Sequence, residues 1–335
     1  MTEATDEIPP RAAPEVARVA VVVVNYRIAD LVIDGVQSVV DRDHGGREVT
    51  VHVVDNASGG TDVGRLRAAH AARGWGTQVT IRAEAVNHGF GRGNDVVIRP
   101  LLAGSRPPDA VMLLNPDARL DNEAVDILAR ALEDDARAGV VGPAIVGPGG
   151  APVPAAFRFP TAASEFSDTL NLGFVARRLA HRSQILAADH PGGPVDWVSG
   201  AAAMMRADAL RDLNGFDPDF FLYYEEVDLM RRARAAGWRC LYVPEARVLH
   251  EEGVSTGVTD KAWAVPRRPA YFYESWALYH RKAAGRAGAL GRAAARAAGA
   301  VGNRALGSLP RRRSIVPERF LRDFWRHAVR PLLRG

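Results

Sequence analysis

The sequence predicts an α/β fold in which a mostly parallel central sheet is flanked by helices and followed by a basic helical extension. Three observations predict it. Strand-like and helix-like segments alternate over some 140 residues, which is typical of a parallel sheet covered on both faces. The first strand-like segment, residues 19–24, is an unbroken apolar run, as expected for a strand buried on both sides. The chain beyond Tyr271 is rich in Ala and Arg and reads as helical.

The elements follow in order along the chain. Strands are predicted at 19–24, 49–54, 79–83 and 110–114, and helices at 28–40, 62–73, 92–102 and 122–132. Residues 147–195 are rich in Gly, Pro and Ala without a clear period, which predicts a functional loop or lid. Further on, the pattern predicts strands at 201–206, 239–243 and 247–249, and helices at 207–213 and about 225–236. The predicted regions are a disordered lead-in (1–17), a nucleotide-sugar half (18–146), an acceptor and catalytic half (147–285) and a basic helical tail (286–335).

Composition excludes several classes of protein. The chain has 335 residues, 47% of them hydrophobic, which suffices for a sizeable core and excludes a disordered or collagen-like chain. The single cysteine, Cys240, excludes a disulfide framework and fits a reducing cytosol. No stretch approaches the ~20 apolar residues that span a bilayer. The acidic, Pro-rich first residues are unlike a signal peptide.

The charge is divided unevenly along the chain. Residues 281–335 carry 14 Lys or Arg and two acids, a net charge of +12, which leaves −8 for the other 280 residues. A basic tail on an acidic body predicts an anionic partner, either a lipid surface or a nucleic acid. No nucleic-acid recognition motif accompanies the tail. Its apolar residues (Phe320, Leu321, Phe324 and Trp325) favour a basic amphipathic segment lying on an anionic membrane.

Polar side chains follow three of the predicted strands. They are Asn25-Tyr26 after the first strand, Asp55-Asn56-Ala57-Ser58 after the second and Asn115-Pro116-Asp117 after the fourth. In an open parallel sheet, ligands bind beyond the carboxyl ends of the strands. Each cluster alone is compatible with an ordinary turn. Their convergence on one edge of the sheet indicates a binding site.

The segment NHGFGRGN (87–94) precedes a predicted helix and superficially matches a dinucleotide-binding fingerprint. The glycine spacing fails, because Gly89 and Gly91 are followed by Asn94 where the third glycine belongs. The first strand also ends without glycines, so a dehydrogenase is disfavoured. We still expect these glycines to let backbone N–H groups approach a phosphate at a helix N-terminus.

The densest cluster of candidate residues is GFDPDFFLYYEEVDLMRRARAAGW (215–238). Glu225 and Glu226 follow an aromatic run at the start of a helix, and an apolar wall raises the pKa of a carboxyl group and makes it a better base. Asp228 and Arg232 have the spacing of an ordinary helix ion pair. Farther along, His250 ends a strand, and it becomes a candidate only if it lies near Asp117.

Six segments, in this order, carry a resemblance: VVVVNYR, VVDNASGG, NHGFGRGN, LLNPDARL, the 215–238 segment and RVLHEEGVST. Together they resemble glycosyltransferase family 2, and most of all its rhamnosyltransferase-type members that extend bacterial polysaccharides. The resemblance covers roughly residues 18–285. It implies a GT-A fold, a nucleotide-sugar donor, a divalent metal (Mg²⁺ or Mn²⁺) and inverting transfer.

The resemblance also implies roles for individual residues. Asn25, Tyr26 and Asp55 match positions that contact the nucleotide, and Asn87, Gly89, Gly91 and Asn94 match the donor loop. Asn115-Pro116-Asp117 stands where the family has its D-x-D metal motif, with Asn as the first residue, so Asp117 is the main expected metal ligand. His250 matches a late histidine that closes over the metal or diphosphate. Glu226 matches the general base, with Glu225 beside it.

The sequence therefore predicts an inverting transferase that moves a sugar, with rhamnose from dTDP-rhamnose as the first choice, to a saccharide or polyprenyl-linked acceptor in polysaccharide or cell-wall synthesis. The expected location is the cytoplasm, at the inner face of the plasma membrane. Two alternatives remain open. A sugar-phosphate nucleotidyltransferase requires a Gly-rich loop after the first strand, which NYRIADL lacks. A non-catalytic nucleotide-sugar-binding protein would be distinguished by Glu226 variants.

Overall fold

The computed structural model describes residues 14–173, 178, 180–250, 266–307 and 314–334. The strands are β1 Arg18–Asn25, β2 Glu48–Asn56, β3 Val79–Glu84, β4 Ala110–Leu114, β5 Ala118–Leu120, β6 Ala138–Val146, β7 Pro152–Val153, β8 Ala156–Phe157, β9 Gly193–Val195, β10 Trp197–Val198, β11 Ala202–Arg206 and β12 Arg239–His250. The helices are α1 Ala29–Val40, α2 Asp62–Ala72, α3 Gly89–Ala103, α4 Ala124–Asp134, α5 Ala162–Leu170, α6 Ala207–Leu213, α7 Glu225–Ala235, α8 Ala270–Gly307, α9 Phe320–Phe324 and α10 Arg330–Arg334. A π-helical turn, Trp325–Val329, joins α9 to α10.

One mixed sheet organises the protein, with the strand order β3-β2-β1-β4-β11-β6-β12-β5. The pairs from β3 to β4 are parallel, and β12 is parallel to β6. β11 runs antiparallel between β4 and β6, and β5 is antiparallel to β12. The α/β prediction is confirmed, with reversed strands that single-segment patterns do not reveal. The apolar run of β1 is buried at the centre of the core, as its composition predicts.

Strand register sets the candidate site at the carboxyl edge of this sheet. Asn25 and Asp55 are direct neighbours in the β1–β2 pair. In the β5–β12 pair, His250 stands opposite Ala118 and so reaches the turn that contains Asp117. Residues that are far apart in the sequence therefore lie at one edge of the sheet.

Several element boundaries differ from the sequence prediction. β6 was not predicted, because Gly139, Gly142 and Pro143 interrupt its apolar pattern. Residues 147–195, predicted as a functional loop or lid, contain short strands and α5. The two short strands predicted at 239–249 are one strand, β12, with a register shift between Val243 and Arg247.

Order also begins earlier than predicted at the N-terminus. The predicted lead-in lies largely outside the described residues, but Val16 is 1% exposed and its N–H donates to Glu133 at 2.7 Å. The hydrogen bond and the burial tie this part of the predicted lead-in to α4. It belongs to the folded body.

The basic C-terminal region packs against the body. α8 bends at Gly285, whose φ of 67° lies in the left-handed region that glycine tolerates. Beyond the bend, the Arg296 guanidinium contacts Glu165 of α5 at 2.6 Å, and both side chains are largely buried. The apolar face of residues 320–334 (Phe320, Phe324, Ala328 and Leu332) is buried in a cluster with Tyr273 and Trp276 of α8. Phe320 and Phe324 therefore do not face a membrane, which corrects that part of the sequence prediction.

None of the described helices is long and apolar enough to cross a bilayer.

Candidate active site

Asn25 and Asp55 form a buried hydrogen-bonded pair at the ends of β1 and β2. The Asn25 amide donates to the Asp55 carboxylate at 2.7 Å and also lies 3.1 Å from Ser58 Oγ and from Asp62 Oδ2. Asn25 is fully buried and Asp55 is 2% exposed. These two residues hold the two strand-end turns together, and the neighbouring surface carries the exposed groups.

Tyr26 and Arg27 form that surface. Tyr26 is half-buried, and the Arg27 guanidinium carbon lies 4.8 Å from the centre of its ring. Arg27 has a φ of 66°, and its Nε donates to the Ser58 carbonyl at 3.3 Å. An aromatic face beside a cation at a strand end suits a planar, negatively charged ligand such as a nucleotide.

The NHGFGRGN segment is held by Asn56, whose amide donates to Asn87 Oδ1 at 3.0 Å and to the Gly89 carbonyl at 2.9 Å. Asn56 Oδ1 accepts the His88 N–H at 2.9 Å. Because Asn87 is only half-buried, it remains able to reach a ligand.

The glycines of this segment serve packing, which differs from the expected approach to a phosphate. A Cβ on Gly89 would lie 1.8 Å from the Phe221 carbonyl oxygen, and one on Gly91 would lie 3.0 Å from the Phe216 side chain. Asn94 is 1% exposed and donates to the Phe90 carbonyl within α3. Gly89 and Gly91 therefore allow α3 to pack against the segment before α7, whereas the Asn94 side chain bonds within α3 itself.

Asn115, Asp117 and His250 meet at the ends of β4, β5 and β12. His250 Nε2 lies 3.1 Å from Asp117 Oδ1 and 3.3 Å from Asn115 Nδ2. Asp117 is 6% exposed, and the buried His250 Nδ1 has no hydrogen-bond partner among the described residues. The condition set on His250 by the sequence is thus met: its ring contacts Asp117.

This donor set fits a divalent cation that has further ligands from a substrate. A carboxylate, an amide and an imidazole converge on one point, and oxygen ligands are what Mg²⁺ and Mn²⁺ prefer. Among the described residues, no group of three or more His, Cys, Asp or Glu side chains forms a complete metal centre. The protein side of the site offers few ligands, so a diphosphate would have to complete the coordination.

Glu225 and Glu226 begin α7. Glu225 is 2% exposed, while Glu226 is half-buried. Burial raises the pKa of Glu225 well above its usual value, and the neighbouring Glu226 charge raises it further; burial also raises the pKa of Glu226. The Oε2 atom of each is buried without a hydrogen-bond partner in the described part of the chain. A raised pKa and an unsatisfied oxygen are the properties of a carboxylate that takes a proton from a ligand.

One short backbone segment connects the glutamates to the Asn115 turn. A Cβ on Gly200 would lie 3.3 Å from Glu226 Cγ, so this residue passes directly beside the Glu226 side chain. The next residue, Ala201, accepts the Asn115 N–H at 2.8 Å through its carbonyl. Glu226 and the Asn115–Asp117 turn therefore flank the same strand-entry loop.

Helix α8 packs against the segment before α7. The α8 residues that make these contacts were not predicted from the sequence. Tyr223 and Tyr224 have φ values of 72° and 70°, which are strained for non-glycine residues. The Tyr224 ring stacks on Tyr279 at 5.3 Å, and Ser275 Oγ donates to the Leu222 carbonyl at 2.9 Å. The sequence feature that could have indicated this contact is the aromatic run YFYESWALY (271–279).

Asp228 is structural, as its spacing indicated. It is fully buried and contacts Arg232 at 2.7 Å and Arg231 at 2.6 Å. Arg232 also donates to the Leu213 and Gly215 carbonyls, which fixes α7 to the turn before it.

Comparison with known proteins assigns the chain to a family. The family model described as "Glycosyltransferase like family 2" matches residues 16–266. The chain belongs to this family. Among curated relatives, the N-acetylglucosaminyl-diphospho-decaprenol L-rhamnosyltransferase of Mycobacterium tuberculosis is 36% identical over 152 residues, 44% of this chain and 49% of that protein. The rhamnosyltransferase WbbL of Escherichia coli is 39% identical over 56 residues, 17% of this chain and 21% of that protein. The matches thus span half or less of these relatives.

Solved structures share the fold of this family 2 chain. The mannosyltransferase PcManGT from Pyrobaculum calidifontis, in complex with GDP-Man and Mn²⁺, aligns over 91% of this chain and 81% of its own at 17% identity, with a TM-score of 0.51. GalNAc-T7 with UDP, GalNAc and Mn²⁺ aligns over 71% of this chain and 45% of its own at 14% identity, with a TM-score of 0.53. The GT-A prediction and the predicted enzyme class, a glycosyltransferase, are confirmed.

Proposed function

We propose that this family 2 protein transfers a sugar from a nucleotide donor to a hydroxyl group of an acceptor with inversion at the anomeric carbon. The Glu226 carboxylate takes the proton of the acceptor hydroxyl as its oxygen attacks the anomeric carbon. The bond from that carbon to the donor diphosphate breaks on the opposite face, and the nucleoside diphosphate leaves. One base and no covalent intermediate give inversion.

The observation that carries this proposal is that a candidate base and a candidate leaving-group site lie on either side of the 199–201 loop. On one side, Glu226 has a raised pKa and an unsatisfied oxygen. On the other, Asp117 and His250 are in contact at 3.1 Å. A base for the acceptor and a site for the leaving group are the two requirements of the reaction.

Asp117, His250 and Asn115 would hold the divalent cation. When bound, the cation neutralises charge that develops on the leaving diphosphate. The role of His250 depends on its tautomer: a lone pair on Nε2 would ligate the cation, whereas an N–H there would donate to Asp117 or to a phosphate oxygen. Tyr26 and Arg27 provide the neighbouring surface for the base and diphosphate of the donor, and Asn87 lies at its border.

The proposed donor is dTDP-rhamnose and the proposed acceptor is a saccharide linked to a polyprenyl diphosphate. The names of the two rhamnosyltransferase relatives support the sugar, and the name of the mycobacterial relative supports the acceptor. The aligned structures contain UDP or GDP-Man, so the donor test below includes dTDP-, UDP- and GDP-sugars.

We place the protein at the cytoplasmic face of the membrane through its C-terminal segment. Four exposed arginines recur at every fourth position along it: Arg322, Arg326, Arg330 and Arg334. Trp325 and Leu333 are 55% and 48% exposed beside this stripe. Each Arg near an anionic leaflet contributes about 1 kcal/mol, which is enough for reversible binding.

Transfer is tested directly with purified protein, Mn²⁺, GlcNAc linked to a polyprenyl diphosphate, and a panel of dTDP-, UDP- and GDP-sugars. We expect turnover with dTDP-rhamnose and release of dTDP. Turnover with a different donor alone would replace rhamnose as the proposed sugar. Absence of turnover with every donor would contradict the proposed transferase activity.

The membrane contact is tested by co-sedimentation with anionic and neutral liposomes. We expect replacement of the four stripe arginines by Gln to reduce binding to anionic liposomes, and high salt to do the same to the unaltered protein. Equal binding by both proteins would exclude this stripe as the anchor.

A further inference from the structure

Arg268 lies just before α8, close to the aromatic residues that support the Glu225–Glu226 segment. Its guanidinium carbon is 5.5 Å from the centre of the Phe272 ring. The Phe272 ring packs edge-on against Tyr223 at 5.2 Å, and Tyr223 lies two residues before Glu225. One aromatic ring therefore separates Arg268 from the segment that carries the proposed base.

A cavity of about 330 Å³ opens beside Arg268, lined also by Arg267, Asp323 and His327. Arg267 forms a two-bond ion pair with Asp323 at 2.6 and 2.8 Å, so its charge is already matched. His327 lies 3.2 Å from the Glu274 carboxylate. Arg268 has no carboxylate within ion-pair distance among the residues that the structure describes. It is the cation of this cavity that remains available to an anion.

Two phenol rings continue the surface from Arg268 toward the glutamates. Tyr271 and Tyr223 stack at 6.1 Å with an interplanar angle of 19°, and both are half-buried. Burial raises the pKa of both phenols, and the charge of Arg268, which is close to both, partly offsets that effect. A cation followed by amphipathic aromatic faces matches a phosphate followed by a sugar ring.

We propose that Arg268 binds the diphosphate of the acceptor, and that Tyr271 and Tyr223 lie along the sugar attached to it. This inference rests on the proposed function. The diphosphate is assigned to the acceptor because Arg268 adjoins the segment of the base, which must face the acceptor, whereas the donor diphosphate is proposed at Asp117 and His250. His327 of the cavity and the exposed Trp325 belong to one helical turn, so the cavity is built partly by the proposed membrane-binding segment.

The test compares Arg268→Gln with the unaltered protein on two acceptors, GlcNAc linked to a polyprenyl diphosphate and GlcNAc on an uncharged alkyl chain. Loss of charge-assisted hydrogen bonds should raise KM for the diphosphate acceptor about 10- to 100-fold. The KM values for the donor and for the uncharged acceptor should not change. Arg211→Gln, which removes an exposed charge on α6 that neither lines the cavity nor belongs to the arginine stripe, is the control and should leave all three KM values unchanged.

Binding provides a readout that does not depend on turnover. In EDTA, we expect farnesyl diphosphate to bind the unaltered protein more tightly than either farnesol or inorganic pyrophosphate, and Arg268→Gln to lose this preference while Arg268→Lys keeps part of it. Equal farnesyl diphosphate binding by the unaltered and Gln proteins, or equal KM values in a transferring enzyme, would overturn the inference and leave the proposed function intact. Absence of transfer by the unaltered protein would instead contradict the proposed function, and the binding result would still decide the role of Arg268.

Discussion

At the scale of single residues, the chemistry depends on how two kinds of carboxylate are surrounded. Asp117 is paired with His250 Nε2 at 3.1 Å and lies beside an amide, an environment suited to a cation or to the groups that orient a phosphate. Glu225 and Glu226 are instead buried next to each other, which favours their protonated forms. In the proposed mechanism, the same residue class serves charge neutralisation at one place and proton transfer at the other.

Asp117→Asn should weaken the response to metal. Removal of the carboxylate takes away the main charged ligand, so the Mn²⁺ concentration for half-maximal turnover should rise at least about 10-fold. Asp121→Asn, which alters a surface carboxylate paired with Arg247 at 2.9 Å, is the control. Full activity of the unaltered enzyme in excess EDTA would contradict the metal requirement.

Glu225→Gln should make the protein more stable at high pH. The folded-state pKa of Glu225 is raised, so its contribution to stability is complete below the unfolded pKa and is lost as the pH rises through the folded value. Gln does not ionise, so the stability of the variant does not fall in this way. In urea unfolding, the free energy of unfolding of the variant relative to that of the unaltered protein should be higher at pH 8 than at pH 5. The same relative value at both pH values would contradict the raised pKa.

At the scale of elements, the site depends on contacts that join distant segments. Gly89 at the start of α3 meets the Phe221 carbonyl, and the Phe90 N–H donates to the same oxygen at 3.0 Å. α8 supports the other side of that segment through Ser275 and Tyr279. The candidate base is therefore positioned by α3 and α8 as well as by its own helix.

Gly89→Ala should destabilise the fold and reduce turnover together. The added methyl group would lie 1.8 Å from a backbone oxygen, at a φ of 75°, and the segment before α7 would have to move. We expect a loss of about 1–3 kcal/mol in urea unfolding. Gly46→Ala introduces the same backbone strain at a φ of 82° with nothing within 4 Å, so equal losses for the two variants would argue against the Phe221 contact.

Sequence patterns predicted most of the elements of residues 18–146, because several strands there are uninterrupted apolar runs that end in polar residues. From the sequence, the contact of His250 with Asp117 was only a condition, and the β5–β12 pairing, which no local pattern reveals, meets it. β6 was not predicted, because Gly142 and Pro143 interrupt its run of apolar residues. The roles of Tyr271 and Ser275 could not be predicted, because they depend on where α8 packs.

At the scale of the whole molecule, the C-terminal region is part of the folded body. Glu165 of α5 is fully buried and lies 3.2 Å from His280 Nε2 and 2.6 Å from Arg296 Nη1. Burial alone would raise the pKa of Glu165. The Arg296 charge and the hydrogen bond with His280 outweigh that effect and hold the pKa at about 2. This cluster joins α5 to both halves of α8 and so supports the helix that positions the segment before α7.

Glu165→Gln should destabilise the protein by about 3–5 kcal/mol at pH 7, because it leaves the Arg296 charge buried without its partner. The pKa of Glu165 is lowered in the fold, so its contribution is present above the unfolded pKa and is lost as the pH falls toward 2. Glu274→Gln, at the exposed pair with His327, is the control and should cost less than about 1 kcal/mol. Similar losses for both variants would show that the cluster contributes little.

The central claim is that Glu226 removes the proton of the acceptor hydroxyl, and single-turnover kinetics of Glu226→Gln test it most directly, with Glu225→Gln as the matched neighbour. Gln keeps the size of the side chain and removes its basicity, so turnover should fall about 10²- to 10⁴-fold while the dissociation constant of the donor is unchanged. Glu225→Gln should retain most of the activity, since Glu225 is 2% exposed and Glu226 is the more accessible of the two. Near-normal turnover by Glu226→Gln, with or without loss of activity in Glu225→Gln, would contradict the assignment.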